Sequence, residues 1–242
     1  MQDLLIIGGC TAVGKSAFAL ELSEKLNMEI ISADSVQVYK GLEIATSKPN
    51  KEEMKKCFHH LVGIVSVFDT FNAYDFVVKA KDAIDKIAKK GKLPCIVGGT
   101  GLYIDSLIFG YDFSSSKKES NYDYEYIFYN DDREKIYRRI NIRVDNMIKS
   151  GLVDEVKSLR SLGVTLDNQC MQAIGYKEMW QYLEGEITLD EAINLMKKNT
   201  RNYAKRQTTW FKNNGSIMWM ANQKEELTNY VLKRFDKYKK SS

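Results

Sequence analysis

A glycine-rich turn near the start of the chain carries residue types that bind phosphate. Residues 9–16 follow the apolar run 4–7, so the pattern predicts a strand, a turn of the GxxxxGK[ST] type and then a helix. In such a turn, backbone N–H groups point at an anion, a lysine neutralises the terminal phosphate and a hydroxyl reaches Mg²⁺. The predicted phosphate-binding residues are Gly9, Cys10, Thr11, Ala12, Val13, Gly14, Lys15 and Ser16, with Ser16 as the magnesium ligand.

A carboxylate follows the next predicted strand. Asp34 comes directly after the short apolar segment 30–33 and has Ser35 and Gln37 beside it. Because ligands of parallel α/β sheets bind at the carboxyl ends of the strands, Asp34 is expected to face the same crevice as residues 9–16. A carboxylate there suits a general base. The structural alternative is an aspartate that only forms a turn.

A third predicted strand, 93–97, ends in the turn Gly98-Gly99-Thr100-Gly101. Kinases and NTPases with such a phosphate loop usually place an acidic residue at the end of a strand to hold magnesium. This turn has no carboxylate, which counts against routine nucleotide hydrolysis. Thr100 is expected to face the same crevice as Asp34.

Strands that alternate with helices predict an α/β fold: a P-loop NTPase-like parallel sheet flanked by helices, with a C-terminal helical region. The predicted boundaries are a P-loop core over 1–112, a shortened insertion or linker over 113–130 and a helical region over 131–242. Helix starts are predicted at Asn72 with Asp75, at Asp131 with Glu134, and at Thr188 with Glu191.

Composition restricts the class of protein. The four cysteines form no CxxC pair, and no run of eighteen apolar residues is present. A cytoplasmic protein without a membrane segment, taken to be a monomer, is expected. The net charge of +4 is mild, but residues 197–212 hold six basic and no acidic residues among aromatic ones. Such a segment is either a nucleic-acid contact or a solvated helix face.

Seven segments resemble, in order, the motifs of the tRNA dimethylallyltransferase (tRNA isopentenyltransferase) family. They are GGCTAVGKSA, ISADSVQVYKGLEIATSKP, FHHLVGI, LPCIVGGTGLYI, GLVDEVKSL, QAIGYKE and TRNYAKRQTTWF. Together they cover roughly 1–112 and 131–214. The resemblance implies transfer of the dimethylallyl group of dimethylallyl diphosphate to the exocyclic N6 amine of the adenosine 3′ of the tRNA anticodon, with Mg²⁺ as cofactor.

The resemblance also assigns roles to residues. It implies a catalytic set of Asp34, Thr100, Lys15 and Arg143, with Asp34 as the base and Arg143 helping to neutralise the diphosphate. The adjacent His59 and His60 match a family pair and are interpreted as structural. The residues expected to bind the tRNA anticodon stem-loop are Asp34, Ser35, Val36, Gln37, Thr100, Gln172, Lys177, Arg201, Lys205, Arg206 and Gln207.

The chain departs from the family pattern between the GGTGLY segment and the helix that begins near Arg133. Family members carry a helical insertion there that is expected to grip the anticodon stem, and only about twenty residues occupy the place here. Cys10 also stands where the family usually has proline. Two alternative functions follow: transfer to a free adenine nucleotide, which fits the missing insertion, and a small-molecule P-loop kinase. A nonenzymatic RNA-binding module has no need for Lys15, Ser16 and Asp34 together.

Overall fold

The computed structural model describes residues 1–110, 120–214 and 216–240. Within these ranges the strands are β1 (Gln2–Gly8), β2 (Met28–Ala33), β3 (His59–His60), β4 (Leu93–Gly98), β5 (Tyr122–Asn130) and β6 (Ile217–Met220). They form one parallel sheet in the order β3-β2-β4-β1-β5-β6. The carboxyl ends of β1, β2 and β4 therefore share one edge, where the phosphate loop, Asp34 and Thr100 follow them.

Helices cover both faces of the sheet. They are α1 (Lys15–Lys25), α2 (Lys51–Lys56), α3 (Ala73–Lys89), α4 (Gly101–Phe109), α5 (Arg133–Lys149), α6 (Leu152–Ser161), α7 (Tyr176–Leu183), α8 (Leu189–Asn213) and α9 (Lys224–Arg234). β1 shows the two-sided burial: Leu4 and Ile6 pack in one core cluster, and Leu5 and Ile7 in the other. An interior strand of a parallel sheet is apolar throughout for this reason. The predicted α/β fold is confirmed.

The predicted linker over 113–130 is wrong for its second half. Tyr122–Asn130 is a strand of the sheet, paired in parallel with β1 from Gln2↔Tyr122 to Gly8↔Phe128. Tyr126 and Phe128 pack in one core cluster and Ile127 and Tyr129 in the other, which is how a pleated strand buries both faces. The predicted linker residues 113–119 lie outside the described residues. The region predicted as helical also contains a strand, β6, at the edge of the sheet.

Two of the three predicted helix starts are confirmed. Asn72 with Asp75 and Thr188 with Glu191 form capping boxes, which confirms both. The pair Asp131 and Glu134 is wrong, because α5 has Asp132 at its N-cap position and Asp131 forms an ion pair with Arg139 instead. In the described part of the chain, no helix is long and apolar enough to cross a membrane.

Candidate active site

The phosphate loop has the backbone conformation of an anion cradle. Gly9 and Gly14 have positive φ angles of 154° and 106°, and a Cβ on Gly9 would collide with the Tyr129 carbonyl of β5. Lys15 is buried and its Nζ donates to the Cys10 carbonyl at 2.6 Å. Burial lowers the pKa of Lys15 to about 8, while the neighbouring Cys10 and Asp34 act in the opposite direction. Ser16 is exposed at the start of α1.

Asp34 and Thr100 lie together at the ends of β2 and β4. Asp34 Oδ1 accepts hydrogen bonds from the backbone N–H groups of Val36 at 2.9 Å and Gln37 at 3.1 Å. This turn orients the carboxylate, and within the described residues Oδ2 has no hydrogen-bond donor. Thr100 Oγ1 accepts from the Ser35 N–H at 3.1 Å, so the two loops are joined directly.

Arg143 connects the phosphate loop to the Asp34 side of the site. It comes from α5, and its Nη1 donates to Thr11 Oγ1 at 3.3 Å. Burial lowers the pKa of Arg143 below its usual value, and the charge of Asp34 acts in the opposite direction. A guanidinium in this position remains charged and adds a second cation to Lys15.

A cavity of about 300 Å³ opens beside these groups. Thr11, Asp34, Ser35, Arg143 and Arg206 contribute polar groups to its lining. The rest is mostly apolar and comes from the loops after β2 and before α7 and from helices α5, α7 and α8; it includes Val36, Ala45, Ile140, Val144, Met147, Ala173, Ile174, Tyr176, Met196 and Tyr203. The cavity can therefore hold a small apolar group next to a bound anion.

The predicted tRNA contacts differ in where they lie relative to the cavity. Ser35, Val36, Gln172 and Arg206 line the cavity together with Asp34. Lys177 on α7 and Lys205 on α8 are exposed and do not line it. Arg201 donates to Asn141 of α5 at 2.8 Å, and Thr100 is the residue that precedes α4.

Two predicted contacts have a different role. The amide of Gln37 bonds its own loop, accepting from Ser32 Oγ at 2.9 Å and donating to the Thr46 carbonyl at 3.1 Å. Gln207 is buried, with both ends of its amide bonded inside the protein. Both ends of the Gln207 amide are thus engaged with the backbone inside the protein, and a contact of Gln207 with tRNA stays a prediction.

Sequence reasoning missed Tyr203 and Glu155. Tyr203 lines the cavity, and burial raises its pKa to about 12, so the hydroxyl stays protonated. Its spacing of one helical turn from Gln207 on α8 was the available signal. Glu155 on α6 accepts from Ile44 N–H at 3.0 Å and from Tyr176 Oη at 2.6 Å, which fixes the 43–47 loop over the cavity. No local sequence pattern marks that long-range contact.

The histidine pair does not line the cavity beside Asp34, although His59 lines a smaller one together with Ser16 and Gln37. His60 Nε2 contacts Glu29 Oε2 at 2.8 Å, and His59 Nδ1 contacts the Cys57 carbonyl at 2.8 Å. Among the described residues, no group of three or more histidine, cysteine or acidic side chains is arranged to hold a metal. Both contacts fit the structural interpretation of the pair.

The sheet order, the phosphate loop after β1 and the adjoining cavity define a P-loop α/β protein with an anion site next to an apolar one. The family model of IPP transferases matches residues 37–123 and 110–214. The chain belongs to this family of tRNA isopentenyltransferases. A tRNA dimethylallyltransferase of Anoxybacillus flavithermus is 37% identical over 280 aligned positions, covering 90% of each chain.

Solved structures agree with this assignment. The tRNA isopentenylpyrophosphate transferase of Bacillus halodurans superposes with a TM-score of 0.90 at 33% identity, covering 98% of each chain. The enzyme of Staphylococcus epidermidis has a TM-score of 0.90 at 32% identity, with 98% of this chain and 99% of that one covered. A eukaryotic dimethylallyltransferase acting on tRNA shares the fold, with a TM-score of 0.84 at 22% identity over 96% of this chain and 78% of its own.

The alignment with the Anoxybacillus relative also measures the departure from the family pattern. Because 90% of 242 residues is about 218, roughly 60 of the 280 aligned positions have no counterpart in this chain. This chain is thus shorter within the aligned region, and the reduced insertion itself stays a prediction.

Proposed function

We propose that the protein transfers the dimethylallyl group of dimethylallyl diphosphate to the exocyclic N6 amine of the adenosine 3′ of the anticodon in tRNA. The observation that carries the proposal is the joining of two environments: the phosphate loop with Arg143 on one side of the cavity, and a largely apolar lining beside Asp34. Family membership and the relatives' names support the same reaction.

The diphosphate is the leaving group. Lys15, Arg143 and the backbone N–H groups of 9–16, except that of Thr11, which donates to Gln207, would stabilise the negative charge that grows as the bond between the allylic carbon and oxygen breaks. Lys15 is desolvated before binding, since its Nζ bonds only to the Cys10 carbonyl among the described residues. An incoming diphosphate exchanges that neutral acceptor for a charged one, which is the stronger partner for an ammonium.

A magnesium ion fits this end of the site. Ser16 offers an exposed hydroxyl at the start of α1, and Mg²⁺ prefers oxygen ligands and commonly keeps waters and substrate phosphates as the remainder. Ser16 would hold the ion together with diphosphate oxygens. When bound, the ion supplies further neutralisation of the leaving group.

Asp34 would accept the proton of the attacking amine. The lone pair of an adenine N6 amine is delocalised into the ring, so a base is needed as the new nitrogen–carbon bond forms. The proton leaves N6 for the Asp34 carboxylate while pyrophosphate departs with the electrons of the carbon–oxygen bond. Oδ1 is engaged in its own turn, which leaves Oδ2 for this role.

The acceptor base has to leave the anticodon loop to reach this cavity, which costs a few kcal/mol. Exposed Lys198, Lys205 and Arg206 on α8 would bind the RNA backbone, and Arg206 also lines the cavity. A tRNA acceptor favours a cytoplasmic location, and the protein is proposed to act as a monomer.

The test is a transfer assay with labelled dimethylallyl diphosphate and Mg²⁺, offering bulk tRNA, AMP or ATP as acceptor. We expect label in tRNA that digestion releases as N6-dimethylallyladenosine, and none with Asp34→Asn. Label in AMP instead would support the free-nucleotide alternative. Transfer of the ATP γ-phosphate to a small acceptor would support the kinase alternative.

A further inference from the structure

Gln207 lies between the phosphate loop and the Thr100 turn. Its Oε1 accepts from the Thr11 N–H at 2.8 Å, and its Nε2 donates to the Gly99 carbonyl at 2.9 Å. The side chain is only 6% exposed. Because an N–H needs an acceptor and a carbonyl needs a donor, a single orientation of the amide satisfies both loops.

The turn after β4 is shaped to admit α8. A Cβ on Gly99 would collide with Gln207 Nε2, and a Cβ on Gly101 would collide with Trp210. Trp210 Nε1 also donates to the buried Asp105 of α4 at 2.8 Å. Since α8 packs on the turn's own backbone, a movement of the helix has to move the turn as well.

A series of contacts continues from Gln207 to the proposed base. Gly99 precedes Thr100, whose Oγ1 accepts from the Ser35 N–H at 3.1 Å, and Ser35 follows Asp34. At its other end the series starts from Thr11 in the phosphate loop. The loop for the leaving diphosphate and the loop for the attacking amine are thus joined through one amide of the helix that carries the basic residues.

We infer that Gln207 is a positioning residue: it sets the separation between the bound diphosphate and the Asp34 loop, and it couples RNA binding at α8 to the phosphate loop. This inference rests on the proposed function. A misplacement of about 1 Å between reacting groups costs on the order of 100-fold in rate. Each loop holds its own ligand with its own groups, so separate affinities depend much less on Gln207.

Two variants separate this role from simple stabilisation. Gln207→Met keeps the length of the side chain and removes both hydrogen bonds. Gln207→Asn keeps a neutral amide but is one methylene too short to reach both Thr11 and Gly99, and it decides the question if Gln207→Met does not fold. Thr209→Ala is the matched control, since this exposed residue of α8 bonds only to the Lys205 carbonyl within its own helix. Thermal unfolding curves fix an assay temperature at which every variant is folded.

The first measurement is the single-turnover rate of transfer to tRNA with both substrates saturating. We expect an approximately 100-fold loss in both Gln207 variants, with the dissociation constants of tRNA and of magnesium pyrophosphate each within about threefold of wild type. Thr209→Ala should match wild type. A saturating rate within threefold of wild type overturns the inference. So does a rate loss that is matched by the loss of pyrophosphate affinity, because Gln207 would then only build the phosphate loop.

The second measurement needs no transfer. The affinity for an anticodon stem-loop is determined with and without saturating magnesium pyrophosphate. We expect a change of at least about fivefold in wild type and a ratio near one in Gln207→Met. A wild-type protein that shows this coupling but transfers nothing contradicts the proposed function and leaves the coupling intact. Equal ratios in wild type and variant overturn the coupling itself.

Discussion

The two oxygens of the Asp34 carboxylate have different roles. Oδ1 accepts hydrogen bonds within its own turn, and Oδ2 is left for the substrate in the cavity. Asp34→Asn keeps the shape and an oxygen for the turn, but it removes the proton acceptor. We expect the single-turnover rate to fall by about 10² to 10⁴ while pyrophosphate affinity stays near wild type. Asp154→Asn, an exposed residue of α6, is the control. A near-normal rate in Asp34→Asn would exclude this residue as the base.

Lys15 should give diphosphate binding a proton signature. With a pKa of about 8, it is half neutral at pH 8 in the free protein and is charged when diphosphate is bound. Binding at pH 8 should therefore take up about half a proton more in wild type than in Lys15→Ala. Calorimetry in two buffers of different ionisation enthalpy counts these protons. The affinity of Lys15→Ala should also be lower at neutral pH, and an equal proton count would contradict the assignment.

The residues that a short pattern defines could be predicted from the sequence. The phosphate loop is one continuous segment, and Asp34 follows its strand directly, so neighbouring residues carried the information. Gln207 and Glu155 could not be assigned, because their partners lie 196 and 111 positions away in the chain. A glutamine next to a basic pair is equally compatible with RNA contact and with an internal bridge. Only the packing of α8 decides between them.

Some basic residues of helix α8 contact side chains of α5, and others are exposed. Lys197 contacts Asp145 of α5 at 2.6 Å, and Arg201 donates to Asn141, whereas Lys198, Lys205, Arg206 and Lys212 are exposed. If these four neutralise RNA phosphates, the log–log salt slope of tRNA binding should be about −3 to −4. Doubling the salt should then weaken binding about tenfold.

The matched pair for that helix is Lys205→Gln and Lys197→Gln. Replacing the exposed Lys205 should flatten the slope of tRNA affinity against salt by about one unit. Replacing the ion-paired Lys197 should leave this slope unchanged. Neither substitution should alter pyrophosphate affinity, because contacts with RNA phosphates contribute to RNA binding and not to the diphosphate site. Equal slopes in wild type and Lys205→Gln would mean that α8 is a solvated face.

Glu29 joins three elements at the edge of the sheet. This buried residue of β2 contacts His60 of β3 and, beyond α3, both Lys90 and Lys92. Although burial acts to raise its pKa, the hydrogen bonds with Lys92, His60 and Lys90 lower it from 4.5 to about 2. The folded-state pKa lies below the unfolded one, so the stabilisation is complete above pH 4.5 and is lost as the pH falls through 2.

Glu29→Gln should therefore lower the free energy of unfolding by about 2–3 kcal/mol at pH 7. Urea titrations at several pH values should show the difference from wild type narrowing below pH 4.5. Glu24→Gln is the control, because Glu24 forms an exposed pair with Lys56 at 3.7 Å and such pairs contribute little. If the difference in the free energy of unfolding did not depend on pH, the effect of Glu29 would come from packing and not from its charge.

Elements with strong local signals were predicted, and β5 was not. The capping boxes of α3 and α8 are four-residue signals and required no tertiary information. The strand Tyr122–Asn130 begins with polar and half-buried residues next to a serine- and lysine-rich segment, and that neighbour dominated the interpretation. Its place between β1 and β6 comes from the burial of residues 126–129 alternately in the two core clusters, a tertiary property.

At the scale of the whole molecule, the short insertion bears on which part of the RNA is recognised. Only about twenty residues stand where the sequence predicts the insertion that grips the anticodon stem, while the cavity and the exposed cations of α8 are present. We expect an anticodon stem-loop to be modified with a kcat/KM within about threefold of full-length tRNA. A loss of more than about 30-fold on truncation, or about 2 kcal/mol, would show that contacts beyond the stem-loop contribute.

The position of β1 also sets the timing of folding. Its two neighbours in the sheet are β4 and β5, whose partner residues lie about 90 and 120 positions further along the chain. At a synthesis rate of about 5–20 residues per second, the first strand waits roughly 6 to 24 s for its second neighbour. During that interval an apolar strand with two unpaired edges is exposed to self-association. The strand that leads into the phosphate loop is therefore the part of the nascent chain that most needs a chaperone.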